Sequence, residues 1–143
     1  MITSTSNAQI KELAKLQKKS RLRDEKGIFL VEGPRMTEEI PAERIEKVYA
    51  SESFAKKNKE FLEKLQAPVE LLTDTVFAYV SDTKTPQGIL AIVKRLNYMM
   101  NDLMQVKNQK APHLVVLDNL QDPGNLGTIF RTAEAAGVTG ILL

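Results

Sequence analysis

Cysteine is absent from the chain, which excludes a disulfide framework and any thiolate-bound metal. Histidine occurs once, as His113, so there is no basis for a histidine-built metal centre. His113 sits directly before the apolar run Leu114-Val115-Val116-Leu117 and reads as a strand-entry residue. No apolar run approaches the roughly 20 residues of a membrane-spanning helix. The N-terminus, Met1-Ile2-Thr3-Ser4, runs straight into polar sequence and has no secretory apolar core. A cysteine-free composition is compatible with a reducing cytoplasm, the compartment expected for it.

Net charge is also scarce, +2 over 143 residues, but it is unevenly placed. Lys11, Lys15, Lys18, Lys19, Arg21, Arg23 and Lys26 face only Glu12, Asp24 and Glu25 among residues 1–26, leaving +4 there and −2 over the remainder. A basic arm on a near-neutral body suits a polyanionic partner, and it equally suits lysines that merely solvate a surface helix. The apolar share of 43% is sufficient for a core, and the length for one domain or one domain plus part of another.

Periodicity predicts alternating elements. Ser6-Asn7-Ala8-Gln9 reads as a capping box with Ser6 at the N-cap, opening a helix to about Lys18 through Ile10, Leu13 and Ala14. Residues 18–26 break the apolar pattern. Strands are predicted at Ile28–Val31, Ile45–Ala50, Val69–Leu72 and Gly88–Val93. Between them fall a brief helix from Arg35 to Ile40 after Gly33-Pro34 and a helix capped by Ser51. The latter carries Phe54, Asn58, Phe61, Leu62 and Leu65 on one face and a Glu60–Lys64 pair outside. A short helix is predicted over Thr75–Val80. The alternation argues for a layered α/β domain over residues 1–95. Residues 96–112 read as a linker, partly packed through Met99, Met100, Leu103 and Met104.

The most specific string follows the 114–117 run: Asp122-Pro123-Gly124-Asn125-Leu126-Gly127-Thr128-Ile129-Phe130-Arg131-Thr132-Ala133. It predicts a strand, a glycine-bearing turn and a helix opening near Leu126, an arrangement that gathers backbone N–H groups and polar side chains at one edge. Thr128 and Arg131 fall on neighbouring turns of that helix. Gly124 and Gly127 fit where the backbone bends or is closely approached. Asp122 reads as a turn or cap residue. Residue by residue, Asn125 as a cap and Arg131 as an ion-pair partner would be ordinary.

As one ordered string, N-x-G-x-x-x-R carried by Asn125, Gly127 and Arg131 resembles the first signature motif of the SpoU/TrmH family of RNA 2′-O-ribose methyltransferases, in the SPOUT superfamily. Two further passages, Lys26–Arg35 and Ser81–Ile89, are similar to that family's substrate-binding domain, so the resemblance covers nearly the whole chain. It implies a three-layer α/β/α RNA-binding domain over 1–95, a linker over 96–112, and over 113–143 the first β–α–β portion of the knotted SPOUT domain. It further implies structured RNA, ribosomal in kind, as substrate and S-adenosylmethionine as methyl donor. Asn125 and Arg131 would be the catalytic pair, Gly124 and Gly127 the motif backbone, and Lys18, Lys19, Arg21 and Arg23 the RNA contacts. In the family the donor sits in a C-terminal knot that also builds a homodimer interface, formed by second and third motifs not found before Leu143. The chain alone is therefore expected to bind no donor and to be inactive. Two rivals remain: a non-enzymatic RNA-binding remnant, and a nucleotide-binding protein using Gly124–Gly127 as a phosphate loop. The second lacks G-x-G-x-x-G or G-K-[ST] spacing.

Overall fold

Five consecutive apolar residues, Ile89 to Val93, make the strand on which the N-terminal unit is organised. A computed structural model describes residues 1–106 and 111–143, so part of the 96–112 linker expectation, residues 107–110, lies outside the described residues. Two units separate, Met1–Arg95 and Leu96–Leu143. In the first, β1 (Ile28–Glu32), β2 (Ile45–Ser51), β3 (Val69–Leu72) and β4 (Ile89–Lys94) form one sheet in the order β1-β4-β2-β3. β4 is antiparallel to both neighbours, whereas β2 and β3 are parallel.

Successive side chains of a strand point to opposite faces, and β4 feeds two cores. Leu90 and Ile92 join the core filled by α1 (Ala8–Lys18), through Ile10, Leu13, Ala14 and Leu16, and by α6 (Asp74–Val80), through Val76, Phe77 and Val80. Ile89, Ala91 and Val93 join the opposite core, closed by Phe54 of α4 (Glu52–Lys57) and by Leu65. With helices on both faces, the unit is the layered α/β domain that the alternation predicts, in the three α/β/α layers that the family resemblance implies. At the free edge of β3, Ile2 accepts from the Thr73 N–H (3.1 Å) and donates to the Leu71 carbonyl (2.7 Å), extending the sheet by one bridge.

Local departures from the expected elements have identifiable causes. The N-cap of α1 is Asn7 rather than Ser6: its Oδ1 accepts from the Gln9 N–H at 2.9 Å, while the Ser6 hydroxyl pairs with Ser4. Residues Ser20–Lys26 form a second helix, α2, that buries no residue and therefore has no apolar period. Gly27 ends it in the left-handed region at φ 62°. α3 spans Pro34–Glu38 with Pro34 in its first turn. The predicted helix after Ser51 is two, α4 and α5 (Lys59–Lys64), divided at Asn58, whose backbone leaves the helical region at φ −130° and ψ 42° and whose side-chain amide donates to the Phe54 carbonyl at 3.0 Å. Phe54 and Phe61 still meet edge to face at 5.9 Å across the break. The exposed pair on α5 is Lys59–Glu63, not Glu60–Lys64.

The second unit holds α7 (Met100–Met104), β5 (Leu114–Val116), α8 (Pro123–Ala135) and β6 (Gly140–Leu142), with β5 and β6 parallel. Leu103 packs so closely on Gly140 that a methyl there would lie 2.7 Å from its Cδ2. His113 is the strand-entry residue predicted, its carbonyl accepting from the Thr139 N–H at 2.7 Å. α8 ends in a Schellman turn: Val138 N–H bonds to Ala133 O, Gly137 N–H to Glu134 O, and Gly137 takes φ 70°. Among the described residues no helix is long and apolar enough to cross a membrane.

Candidate functional site

The start of α8 is set by Asp122 and Pro123. Asp122 is the N-cap, its Oδ1 accepting from the Asn125 N–H at 2.6 Å, and Pro123 occupies the first helical turn, where its missing N–H costs nothing. The helix therefore opens at Pro123, three residues before the predicted Leu126. Gly124 and Gly127 lie inside it and neither has a positive φ, so of the two uses expected of them, a bend or a close approach, neither makes the bend.

Gly127 serves the close approach. A methyl there would lie 3.7 Å from Arg131 Nη1, so the guanidinium folds back along the helix over the bare glycine. Arg131 Nη2 donates to Thr128 Oγ1 at 3.2 Å, and that hydroxyl donates onward to the Gly124 carbonyl at 3.0 Å. Arg131 is thus seated by a chain of contacts running to the helix N-terminus, yet it stays exposed, as do Asn125 and Thr128. The side-chain amide of Asn125 has no hydrogen-bond partner among the described residues, and it stands with Arg131 on the first three turns of one helix. Spacing alone put Thr128 near Arg131; that it holds the guanidinium required the geometry.

In the N-terminal unit the four predicted RNA contacts divide. Lys18, Lys19 and Arg21 are exposed and line a concavity of about 500 Å³ with Lys15, Ser20 and Glu25. Arg21 also pairs with Glu25 at 3.0 Å, an exposed contact of small energetic weight. Arg23 is turned inward: Nη1 donates to the carbonyls of Leu16 and of Gln17, the latter at 2.9 Å, closing the C-terminus of α1. It acts as a clasp between α1 and α2.

The two passages singled out in this unit touch. Glu32 Oε1 accepts from Ser81 Oγ (2.6 Å) and Thr83 Oγ1 (2.8 Å), and its Oε2 is buried without a partner among the described residues. Gly33, at φ 107°, lies under Gln87, whose Oε1 is 2.7 Å from where a methyl would stand. Gly88, at φ 82°, is pressed against Phe54 and Ser51. These contacts fasten the 81–88 loop to the ends of β1 and β2. Nothing local in the sequence marks them, since the Glu32 bonds join residues 49 and 51 apart.

Comparison with known proteins matches both segments. Residues 7–91 fit the MRM3-like substrate binding domain and residues 112–143 the SpoU rRNA Methylase family. The 23S rRNA (guanosine(2553)-2′-O)-methyltransferase RlmP of Bacillus subtilis is 32% identical over 99% of this chain and 53% of its own length. The mitochondrial rRNA methyltransferase 3 of Homo sapiens is 34% identical over 87% of this chain and 31% of its own. The AdoMet-bound rRNA methyltransferase from Sinorhizobium meliloti superposes with a TM-score of 0.68 at 28% identity, covering 98% of this chain and 52% of that one. The chain thus spans about half the length, or less, of these relatives. With one family model over more than half of its residues and a second over the strand and helix that seat Arg131, the chain belongs to the SpoU/TrmH family of RNA methyltransferases.

Proposed function

We propose that the whole protein transfers a methyl group from S-adenosylmethionine to a ribose 2′-hydroxyl of structured, ribosomal RNA, working in the cytoplasm as a homodimer. In this reading residues 1–95 hold the RNA, 96–112 connect, and 113–143 begin the catalytic domain. Lys18, Lys19 and Arg21 meet phosphates, a contact that gives affinity without sequence preference. The observation that carries the reading is the seat of Arg131, held by Thr128 over Gly127 at the start of the helix that follows β5.

A 2′-hydroxyl must give up its proton as the new O–C bond forms, so negative charge grows on that oxygen. A guanidinium fixed beside it stabilises that charge and holds the neighbouring phosphate. A guanidinium offers donors and no acceptor, so its proposed part is electrostatic. The unengaged amide of Asn125 orders the ribose by offering both donor and acceptor. When bound, S-adenosylmethionine supplies the electrophilic methyl group. The described residues from 96 onward do not wall such a ligand by themselves. In α8 only Ala133 is buried, Ile129 and Ile141 are partly covered, and Val116, Phe130 and Leu143 are exposed. For the 143-residue chain alone the same observation favours RNA binding without methyl transfer.

The test is transfer of a radiolabelled methyl group to ribosomal RNA by the whole gene product, with Arg131→Ala beside it. Loss of transfer in the variant, with RNA affinity kept, is expected; unchanged transfer would sink the role of Arg131. Equilibrium dialysis of the 143-residue chain against S-adenosylmethionine is expected to show no saturable binding.

A further inference from the structure

We infer that the cleft between α1 and the start of β2 receives a base splayed out from single-stranded RNA, with guanine preferred. The inference rests on the RNA reading proposed above and adds a second mode of contact to the phosphate-binding lysines.

The cleft has a volume of about 430 Å³, within the size range of small-molecule sites. Its floor is apolar, made by Leu13 and Leu16 of α1 with Ile28, Tyr49 and Ile92 of the sheet. Its rim is polar: Gln9 and Glu12 on α1 stand opposite Lys26, Glu46 and Lys47. Glu46 is brought there by a β-bulge. Ile45 pairs with Val93 and Lys47 with Ile92, so Glu46 is an extra residue without an opposite number on β4. Bulges re-aim side chains, and this one adds a carboxylate to the rim.

Two carboxylates and two ammonium groups balance, so the cleft has no net charge with which to draw in a phosphate. A flat, uncharged group with an apolar face and a hydrogen-bonding edge matches it. Guanine presents two adjacent N–H donors beside a carbonyl acceptor, which a carboxylate and an ammonium can satisfy together. Adenine presents a bare ring nitrogen where guanine has an N–H, and that nitrogen would meet carboxylate oxygen. Tyr49 is 4% exposed, with Lys47 Nζ 5.2 Å from its ring centroid. Burial, and then the nearby carboxylates of Glu70, Glu12 and Glu46, hold its phenol above the usual range, so the hydroxyl keeps its proton.

The approach is also in place. Lys15 follows Glu12 by three positions on α1, and it opens the basic concavity that includes Lys18, Lys19 and Arg21. A strand with its phosphates along residues 15–21 would pass the mouth of the cleft. That mouth is spanned by Lys26 to Glu12 and by Lys47 to Gln9, each at 2.6 Å. Both ends of the first pair are about half exposed, so parting them costs little.

The experiment is fluorescence anisotropy of the 143-residue chain with uridine octamers carrying guanine, adenine or an abasic site at the centre. Guanine is expected to bind at least about fivefold tighter than the other two, the scale of one good bidentate contact. Glu46→Ala, at an exposed residue, should erase that difference, with thermal melting confirming that the variant folds. If a variant melts early, titration of the unaltered chain with guanosine, followed by NMR shifts at Gln9 and Tyr49, replaces it. Equal affinity for the three octamers overturns the cleft assignment and leaves the RNA reading standing. Binding to a ribosomal hairpin but to no octamer does the same. Binding to neither removes the RNA reading itself.

Discussion

Gly88→Ala is expected to be the most damaging single-methyl change in the N-terminal unit, and its size can be worked out. At φ 82° an alanine takes a left-handed backbone, at a cost of about 1–2 kcal/mol. Its methyl would stand 2.7 Å from Phe54 Cβ and 2.9 Å from Ser51 Oγ. Phe54 Cβ is fixed to the backbone of α4 and cannot swing aside, so relief requires moving a helix; overpacking of this kind costs about 1–3 kcal/mol. Ser51 Oγ is also the N-cap of α4, bonded to the Phe54 N–H at 3.1 Å, and displacing it forfeits about 1 kcal/mol more. The total is about 3–6 kcal/mol. Gly27→Ala is the control. Its φ is 62°, but nothing lies within 4 Å of the new methyl, so only the backbone cost of about 1–2 kcal/mol applies. Native-state hydrogen exchange at the β4 amides reads the stability of this unit directly, and urea titration gives a second measure. Gly88→Ala should lose at least about 2 kcal/mol more than Gly27→Ala on the worked terms. Equal losses would refute the steric argument and mean that the loop yields at Gly88.

Arg23→Ala should destabilise the junction of α1 and α2, since two end carbonyls lose their donor, by about 1–3 kcal/mol in thermal or urea unfolding. Lys18→Ala with Lys19→Ala should leave stability unchanged but weaken RNA binding and flatten its salt dependence by up to about 0.7–0.9 per lost phosphate contact. Ser53 holds the Asp74 carboxylate below its ordinary pKa, chiefly through its hydroxyl and then its backbone N–H. A depressed folded-state pKa gives stability that is present above the unfolded value and lost as pH falls through the folded one. The melting-temperature gap between the parent chain and Asp74→Asn should therefore narrow from pH 6 towards pH 3; a constant gap would count against the contact. In the whole protein, Thr128→Val should lower methyl transfer by freeing Arg131, with melting unchanged and RNA affinity kept.

Elements that fill a core were legible in the sequence, and those held by polar contacts were not. β1 and β4 are apolar runs, β2 and β3 are apolar stretches interrupted only by Glu46-Lys47 and Glu70, and the helices that cover them repeat an apolar face, so their positions follow from pattern. α2 buries no residue fully, lays the lone half-buried Leu22 against the core, and is otherwise held by Arg23, a Lys26–Glu12 pair and an Arg95–Asp24 pair at 2.6 Å, none of which leaves a period to read. The break at Asn58 was masked because Phe54 and Phe61 serve the same core on either side of it. The start of α8 was misplaced because Gly124 and Gly127 suggest a turn, while the Asp122 cap and Pro123 outweigh them. For the candidate site, the order Asn125, Gly127, Arg131 was readable. The inward turn of Arg23, the Glu32 tie to Ser81 and Thr83, and the bulge at Glu46 arise from tertiary contacts that neighbouring residues do not encode.

The order of strands has a bearing on how the protein is made. β4 comes last in the N-terminal unit, yet it lies between β1 and β2 and supplies side chains to both cores. On the ribosome, β2 emerges some 40 residues and β1 some 60 residues earlier with nothing between them, and neither hydrophobic layer can close until residue 94 has left the exit tunnel. The nascent chain therefore carries exposed strand edges for the whole time needed to add those residues, several seconds at about 5–20 residues per second. Its vulnerability to aggregation is concentrated in that interval, and it ends in a single step when the last strand inserts.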